Sequence, residues 1–152
     1  MKAQDTVGYQ VKTTWQSVVK MYNRLTNKND FSQAIGYVLI NVKKEGIPVT
    51  KIAPLMGIEP TSLSRLLKTM EEKGLIYREK DQVDKRVVKL MLTQKGFELK
   101  KISKKIVLDY NKMIRDHIPD EELEVFFKVI KKVKKLTCEA GVSEEDLETK
   151  NC

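Results

Sequence analysis

The sequence predicts a mainly α fold with one small β-hairpin, and three observations carry that expectation. Apolar residues recur at three- and four-residue spacing through most of the chain. The period shortens to two in one place, over 76–80 and 87–92, on either side of a polar tip at 81–86. Glycine and proline punctuate the helical runs at Gly46, Pro48, Gly57, Gly74, Pro119 and Gly141. At 152 residues the chain is long enough for a single domain with a substantial core.

In the N-terminal run, Val11, Trp15, Val18, Tyr22 and Leu25 are spaced four, three, four and three. That is the narrow seam of a helix that packs against another helix. Polar residues 26–30 end it. A second helix is expected over Phe31–Lys44, with Ile35, Val38, Leu39 and Val42 turned inward and Gly36 marking a close helix contact. Gly46 and Pro48 stop this helix, and Thr50 is the expected cap of the next.

The stretch 49–68, VTKIAPLMGIEPTSLSRLLK, reads as two short helices around a tight corner. Ile52, Leu55 and Met56 form the inner face of the first. Ala53 allows close packing, and Pro54 shortens the helix or opens its start. Gly57 suits a left-handed exit residue, and Pro60 suits a first helical position, where its missing N–H is no loss. In the second helix Leu63, Leu66 and Leu67 make a buried stripe, while Thr61, Ser62, Ser64, Arg65 and Lys68 occupy the other face. Short hydrogen-bonding groups and long cations on a rigid back are what base edges and phosphates recognise. The polar run Glu71-Glu72-Lys73-Gly74 closes the helix. A basic hairpin directly after a helix-turn-helix is a wing, so the full expectation is a winged helix-turn-helix.

Thr93 caps a long helix expected over Gln94–His117, its inner face being Leu99, Ile102, Ile106, Tyr110, Met113 and His117. After Pro119, the acids Asp120, Glu121 and Glu122 favour the start of a last helix running to about Glu139. Leu123, Phe126, Phe127, Ile130, Val133 and Leu136 are expected to be buried, and 142–152 is read as a frayed acidic tail.

Composition narrows the function. Lys plus Arg outnumber Asp plus Glu by 29 to 21, a net charge of +8 that suits a polyanionic partner. The lysines at 100, 101, 104, 105, 131, 132, 134 and 135 alternate with apolar residues and read as solvated faces whose stems cover the core. No run resembles a signal peptide or a membrane span, so a cytoplasmic protein is expected. The two cysteines, Cys138 and Cys152, make neither a disulfide framework nor a metal cluster. Cys138 has no resolving partner nearby in sequence, and His117, the sole histidine, reads as a helix-end group. With no nucleophile, metal cluster or phosphate loop, no enzyme, metal or cofactor is expected.

Three stretches resemble the MarR (multiple antibiotic resistance regulator) family of bacterial transcription factors. They are 63–67 leading into 70–78, MEEKGLIYR; Asp84-Lys85-Arg86; and Leu90-Met91-Leu92-Thr93-Gln94-Lys95-Gly96. Members show Glu-x-x-Gly-Leu at the end of the reading helix, an Arg shortly after it, Asp-Arg-Arg in the wing, and Leu-Thr-x-x-Gly after the second strand. This chain departs at Lys85, where the first wing arginine is usual, and at Glu59, where a better helix cap is usual.

The resemblance spans nearly the whole chain and implies N- and C-terminal dimerisation helices (5–30 and 96–141) around a DNA-binding core (31–95). It implies a homodimeric repressor that places one reading helix per subunit in the major groove, with a wing toward the minor groove. The expected DNA-contacting residues are Thr61, Ser62, Ser64, Arg65, Lys68, Lys85 and Arg86, with Asp84 supporting the wing by orienting a cation. A small apolar or aromatic effector is implied between the two regions, for which Trp15, Tyr22 and Tyr37 are candidates. The alternative is a winged-helix module for protein–protein assembly; the cations Arg65, Lys68, Lys85 and Arg86 favour DNA.

Overall fold

Capping chemistry sets the helix boundaries in the structure, a computed structural model that describes residues 2–140. The helix stop at Gly141 and the acidic tail lie outside the described residues. The first helix, α1 (Val7–Thr26), begins where the Thr6 hydroxyl accepts from the Tyr9 N–H. The second, α2 (Gln33–Asn41), is shorter than the expected Phe31–Lys44. Ser32 caps it by accepting from the Ile35 N–H, which leaves Phe31 outside the helix but buried, and Val42 is already extended. Gly36 does mark a close contact, since an added Cβ would lie 3.0 Å from the Ser103 hydroxyl.

Thr50 is not a cap. It lies inside a 3₁₀ turn (Val49–Lys51), and α3 (Ile52–Met56) starts beyond it without a side-chain cap. Pro54 is therefore in the first turn, where no intrahelical N–H bond is lost. Gly57 takes φ +62°, and the Ile58 N–H donates back to the Ala53 carbonyl at 3.3 Å, closing the corner. Helix α4 (Pro60–Glu72) follows with proline in its opening turn.

Three strands form one antiparallel sheet in the order β1-β3-β2. Strands β2 (Ile76–Lys80) and β3 (Val88–Leu92) make the expected hairpin, with Arg78 opposite Leu90. Val87 is drawn into the tip instead, its N–H donating to the Asp84 carbonyl. Strand β1 (Ile47–Pro48) was not expected: two residues carry no readable alternation, and proline argues against a strand except at an edge, where this one lies.

The described chain divides into two compact units between Ile106 and Val107. In the first, Ile35, Val38 and Leu39 of α2, Ile52 of α3, Leu63, Leu67 and Met70 of α4, and Leu75, Ile76 and Leu90 of the hairpin make one core. Leu99 and Ile102 of α5 (Gln94–His117) pack on that core. Lys100 departs from the solvated reading: it is half-buried and donates to the Val42 carbonyl at the end of α2, and burial pushes its ammonium pKa down. The second unit holds the rest of α5 and α6 (Asp120–Ala140). There Leu123 is buried, but Met113, His117, Phe126, Phe127 and Leu136 are exposed, contrary to expectation. Periodicity shows that a face is apolar, not that this same chain covers it. No helix among the described residues is long and apolar enough to cross a membrane.

The first turn of α5 lies directly on the turn that joins α4 to β2. Thr93 accepts from the Gly96 N–H at 3.0 Å, and its own hydroxyl donates to the Gly74 carbonyl at 2.7 Å. Its N–H donates to the Leu75 carbonyl at 3.1 Å. A Cβ on Gly96 would sit 2.0 Å from the Leu75 oxygen, so the two backbones meet only because no side chain intervenes. Gly96→Ala is expected to destabilise by at least about 2 kcal/mol through overpacking against backbone. Gly8→Ala, in open space on α1, should change stability by under about 1 kcal/mol and in the favourable direction. Urea denaturation of the two variants beside the wild type is the check.

Candidate nucleic-acid interface

Helix α4 divides cleanly between core and solvent. Leu63, Leu67 and Met70 are buried and Leu66 is half-buried, while Thr61, Ser62, Ser64, Arg65 and Lys68 are all exposed on the opposite side. The division follows from helical geometry, which keeps residues three and four apart on one face. Lys68 stands 3.9 Å from Glu72, a loose pair between largely exposed groups that leaves the ammonium free to turn elsewhere. Among the described residues the side chains of Arg65 and Lys85 pair with no carboxylate. At the helix start Glu59 makes no side-chain cap.

The wing tip is organised by two aspartates. Asp84 Oδ1 accepts from the Arg86 N–H and from its Nε, both at 3.1 Å, and Oδ2 accepts from Nη2 at 3.3 Å. The Arg86 side chain is nevertheless 91 % exposed, so it is held at its base and presented outward. The Arg86 side chain beside Asp84 also holds that carboxyl below its ordinary pKa.

Asp81 was missed in the sequence. Its Oδ1 accepts from the N–H groups of Val83 and Asp84, both at 2.9 Å, and its Oδ2 is paired with Lys89. An aspartate opening a hairpin tip is the available signal, because its side chain mimics a backbone turn. Sequence reasoning also missed the pairing of Glu71 on α4 with Arg78 on β2, seven residues apart across a helix–strand turn.

The candidate ligand residues belong to α1 and α2. Trp15 is 54 % and Tyr37 39 % exposed, and Tyr22 is half-buried. A cavity of about 280 Å³ is found beside the wing, with Glu45, Glu79, Asp81, Lys89 and Met91 in its lining and none of those aromatics. His117 Nδ1 lies 2.8 Å from the Met113 carbonyl, in keeping with a helix-end role. No group of acids, histidines and cysteines among the described residues could hold a metal ion.

The Asp81 tie is expected to be pH-sensitive in a defined window. The Lys89 ammonium, then the two amides, lower its pKa from 3.8 to about 2. A carboxylate depressed in the folded state adds stability that is present above its unfolded pKa and lost as pH falls through its folded one. Wild type should therefore lose stability between about pH 4 and pH 2, and Asp81→Ala should lose less over that interval. Denaturant titrations of both proteins at the two ends of the window measure the difference.

Comparison with known proteins places this geometry. Residues 42–88, which hold β1, α3, α4, β2 and the wing tip, match the model of the MarR family. Among solved structures, Staphylococcus aureus MepR in complex with DNA is 22 % identical, with a TM-score of 0.77 over 86 % of this chain and 97 % of that one. CouR from Rhodococcus jostii bound to p-coumaroyl-CoA is 21 % identical, with a TM-score of 0.75 over 88 % and 94 %. A MarR protein from Peptoclostridium difficile is 18 % identical, with a TM-score of 0.78 over 90 % and 91 %. At such identities these likenesses speak for the fold, and the family match is confined to residues 42–88. The segment that carries α4 and the wing tip is thus similar to the MarR family, inside a winged helix-turn-helix fold shared with these solved structures.

Proposed function

We propose that the chain is a sequence-specific DNA-binding transcriptional regulator, a ligand-responsive repressor that acts as a cytoplasmic homodimer on a pseudo-palindromic operator. The observation that carries this reading is the exposed face of α4, where Thr61, Ser62, Ser64, Arg65 and Lys68 stand opposite a buried apolar stripe, beside an outward-held Arg86. Such a helix enters the major groove, where Arg65 reaches base edges and the shorter groups and Lys68 take phosphates or bases. Lys85 and Arg86 approach the minor groove, whose negative potential attracts arginine. The solved MepR–DNA complex shares the fold, which supports the same use here.

Dimerisation is supported by the apolar residues left uncovered in one chain. Val11, Trp15 and Leu25 of α1 are exposed, as are Val125, Phe126, Phe127 and Leu136 of α6. Two copies would bring two reading helices to half-sites about one helical turn apart. Regulation by a small apolar or aromatic effector near Trp15, Tyr22 and Tyr37 is supported by the ligand-bound CouR structure of the same fold.

Sedimentation at micromolar concentration should show a dimer, and a folded monomer that binds DNA equally well per chain would remove this part of the reading. Arg65→Ala should weaken the best operator by about 1–3 kcal/mol while changing scrambled DNA much less. Lys85→Ala should weaken both alike and flatten the slope of log K against log salt by about 0.9 for each phosphate it no longer neutralises. Binding of both variants to an operator and a scrambled duplex over a salt series decides; wild-type behaviour in both would put the interface on another face.

A further inference from the structure

Among the described residues, side-chain hydrogen bonds tie the reading helix to other elements at one end only. Its N-terminus has no side-chain cap, whereas its C-terminus is tied in several directions. Lys73 donates to the Asp30 carbonyl at 2.8 Å, Lys95 donates to the Lys73 carbonyl at 3.0 Å, and Thr93 donates to the Gly74 carbonyl at 2.7 Å. These ties join the helix end to the corner before α2 and to the start of α5. The tie to the wing is a fork: Arg78 Nε donates to Glu71 Oε1 at 2.8 Å, and Nη2 faces Oε2 at 3.5 Å.

Both partners are placed by the fold. Arg78 sits opposite the fully buried Leu90 in the ladder, so it lies on the core side of the sheet while Tyr77 and Glu79 alternate to the other side. Glu71 follows the buried Leu67 by four residues, at the edge of the apolar stripe. Their side chains are 44 % and 35 % exposed, so water screens them less than a fully solvated pair.

We propose that Glu71 and Arg78 are a positioning pair that sets the angle between α4 and the wing, and through that angle the affinity for DNA. The inference rests on the DNA-reading function proposed above. Apolar packing between α4 and the hairpin is non-directional. A bidentate guanidinium–carboxylate fork is directional, because its two bonds resist twisting as well as separation. The lever is long. At about 3.3 Å per strand residue the tip lies roughly 15 Å beyond Arg78, so a twist of about 10° moves it by roughly 2–3 Å. That is enough to break any hydrogen bond made at the tip. Neither residue needs to touch DNA.

The test uses a duplex that the wild-type protein selects from a random pool, a scrambled duplex, and a salt series. Binding is measured well below the temperature at which circular dichroism shows each variant melting. Arg78→Gln and Glu71→Gln should each bind the selected duplex roughly fivefold more weakly, with the salt slope unchanged. The double exchange, Glu71→Arg with Arg78→Glu, should recover most of the loss. A lowered melting temperature with unchanged Kd would make the pair merely structural and overturn the proposal. A salt slope flattened by about 0.9 in Arg78→Gln, with Glu71→Gln binding as well as wild type, would make Arg78 a phosphate ligand and overturn it too. If wild type selects no duplex, the DNA-reading function falls, and this inference with it. If wild type selects one and the variants bind it unchanged, this inference alone falls.

Discussion

The contact on which the rest of the first unit depends is the approach of α5 to the backbone between α4 and β2. Gly96 admits the Leu75 carbonyl where a Cβ would collide, and Thr93 directs its N–H and hydroxyl to the Leu75 and Gly74 oxygens. One short segment thus satisfies the carbonyls that a helix end and a tight turn would otherwise leave open. It also brings the end of α4, the start of the hairpin and the first turn of α5 to one place. The run Leu92-Thr93-Gln94-Lys95-Gly96 therefore has a physical content: the threonine bonds in two directions, and the glycine makes room.

From that junction the polar surface is built outward by ion pairs of graded exposure. Asp81, the more enclosed of the two wing aspartates, is tied to Lys89 and two tip amides. Asp84 is half-exposed and holds the base of Arg86, whose side chain remains almost wholly in solvent. Burial of carboxylates toward the base and exposure of cations toward the tip give the wing a positive end on a neutralised stem. Under the proposed function a polyanion would meet the cations first, while the acids that would repel it are already engaged.

The apolar surface is distributed unevenly. The α2–α3–α4 core is closed by residues of its own unit. In contrast, α1 exposes Trp15 and Val11, and α6 exposes Phe126 and Leu136. Exposed large side chains are most numerous on these two helices, and the proposed dimerisation would cover them.

Much of this was legible in the sequence, and the reasons differ by element. The corner at Gly57, the two faces of α4, the hairpin and the Thr93 cap rest on local rules: a left-handed residue, helical spacing, alternation and a hydroxyl before a helix. So did the association of Asp84 with Arg86, two residues apart. What the sequence could not decide were matters of long range. The two-residue strand β1 exists only because β3 is there to pair with it. Lys100 is drawn from the solvated face by the Val42 carbonyl fifty-eight residues away. Phe126 and Leu136 have a helical spacing that proclaims an apolar face, yet burial depends on a partner surface, and periodicity within a single helix holds no information about which surface that is. The sequence determined which long stretches prefer helix or hairpin; the tertiary structure decided which side chains are covered, because covering takes two surfaces and spacing describes one.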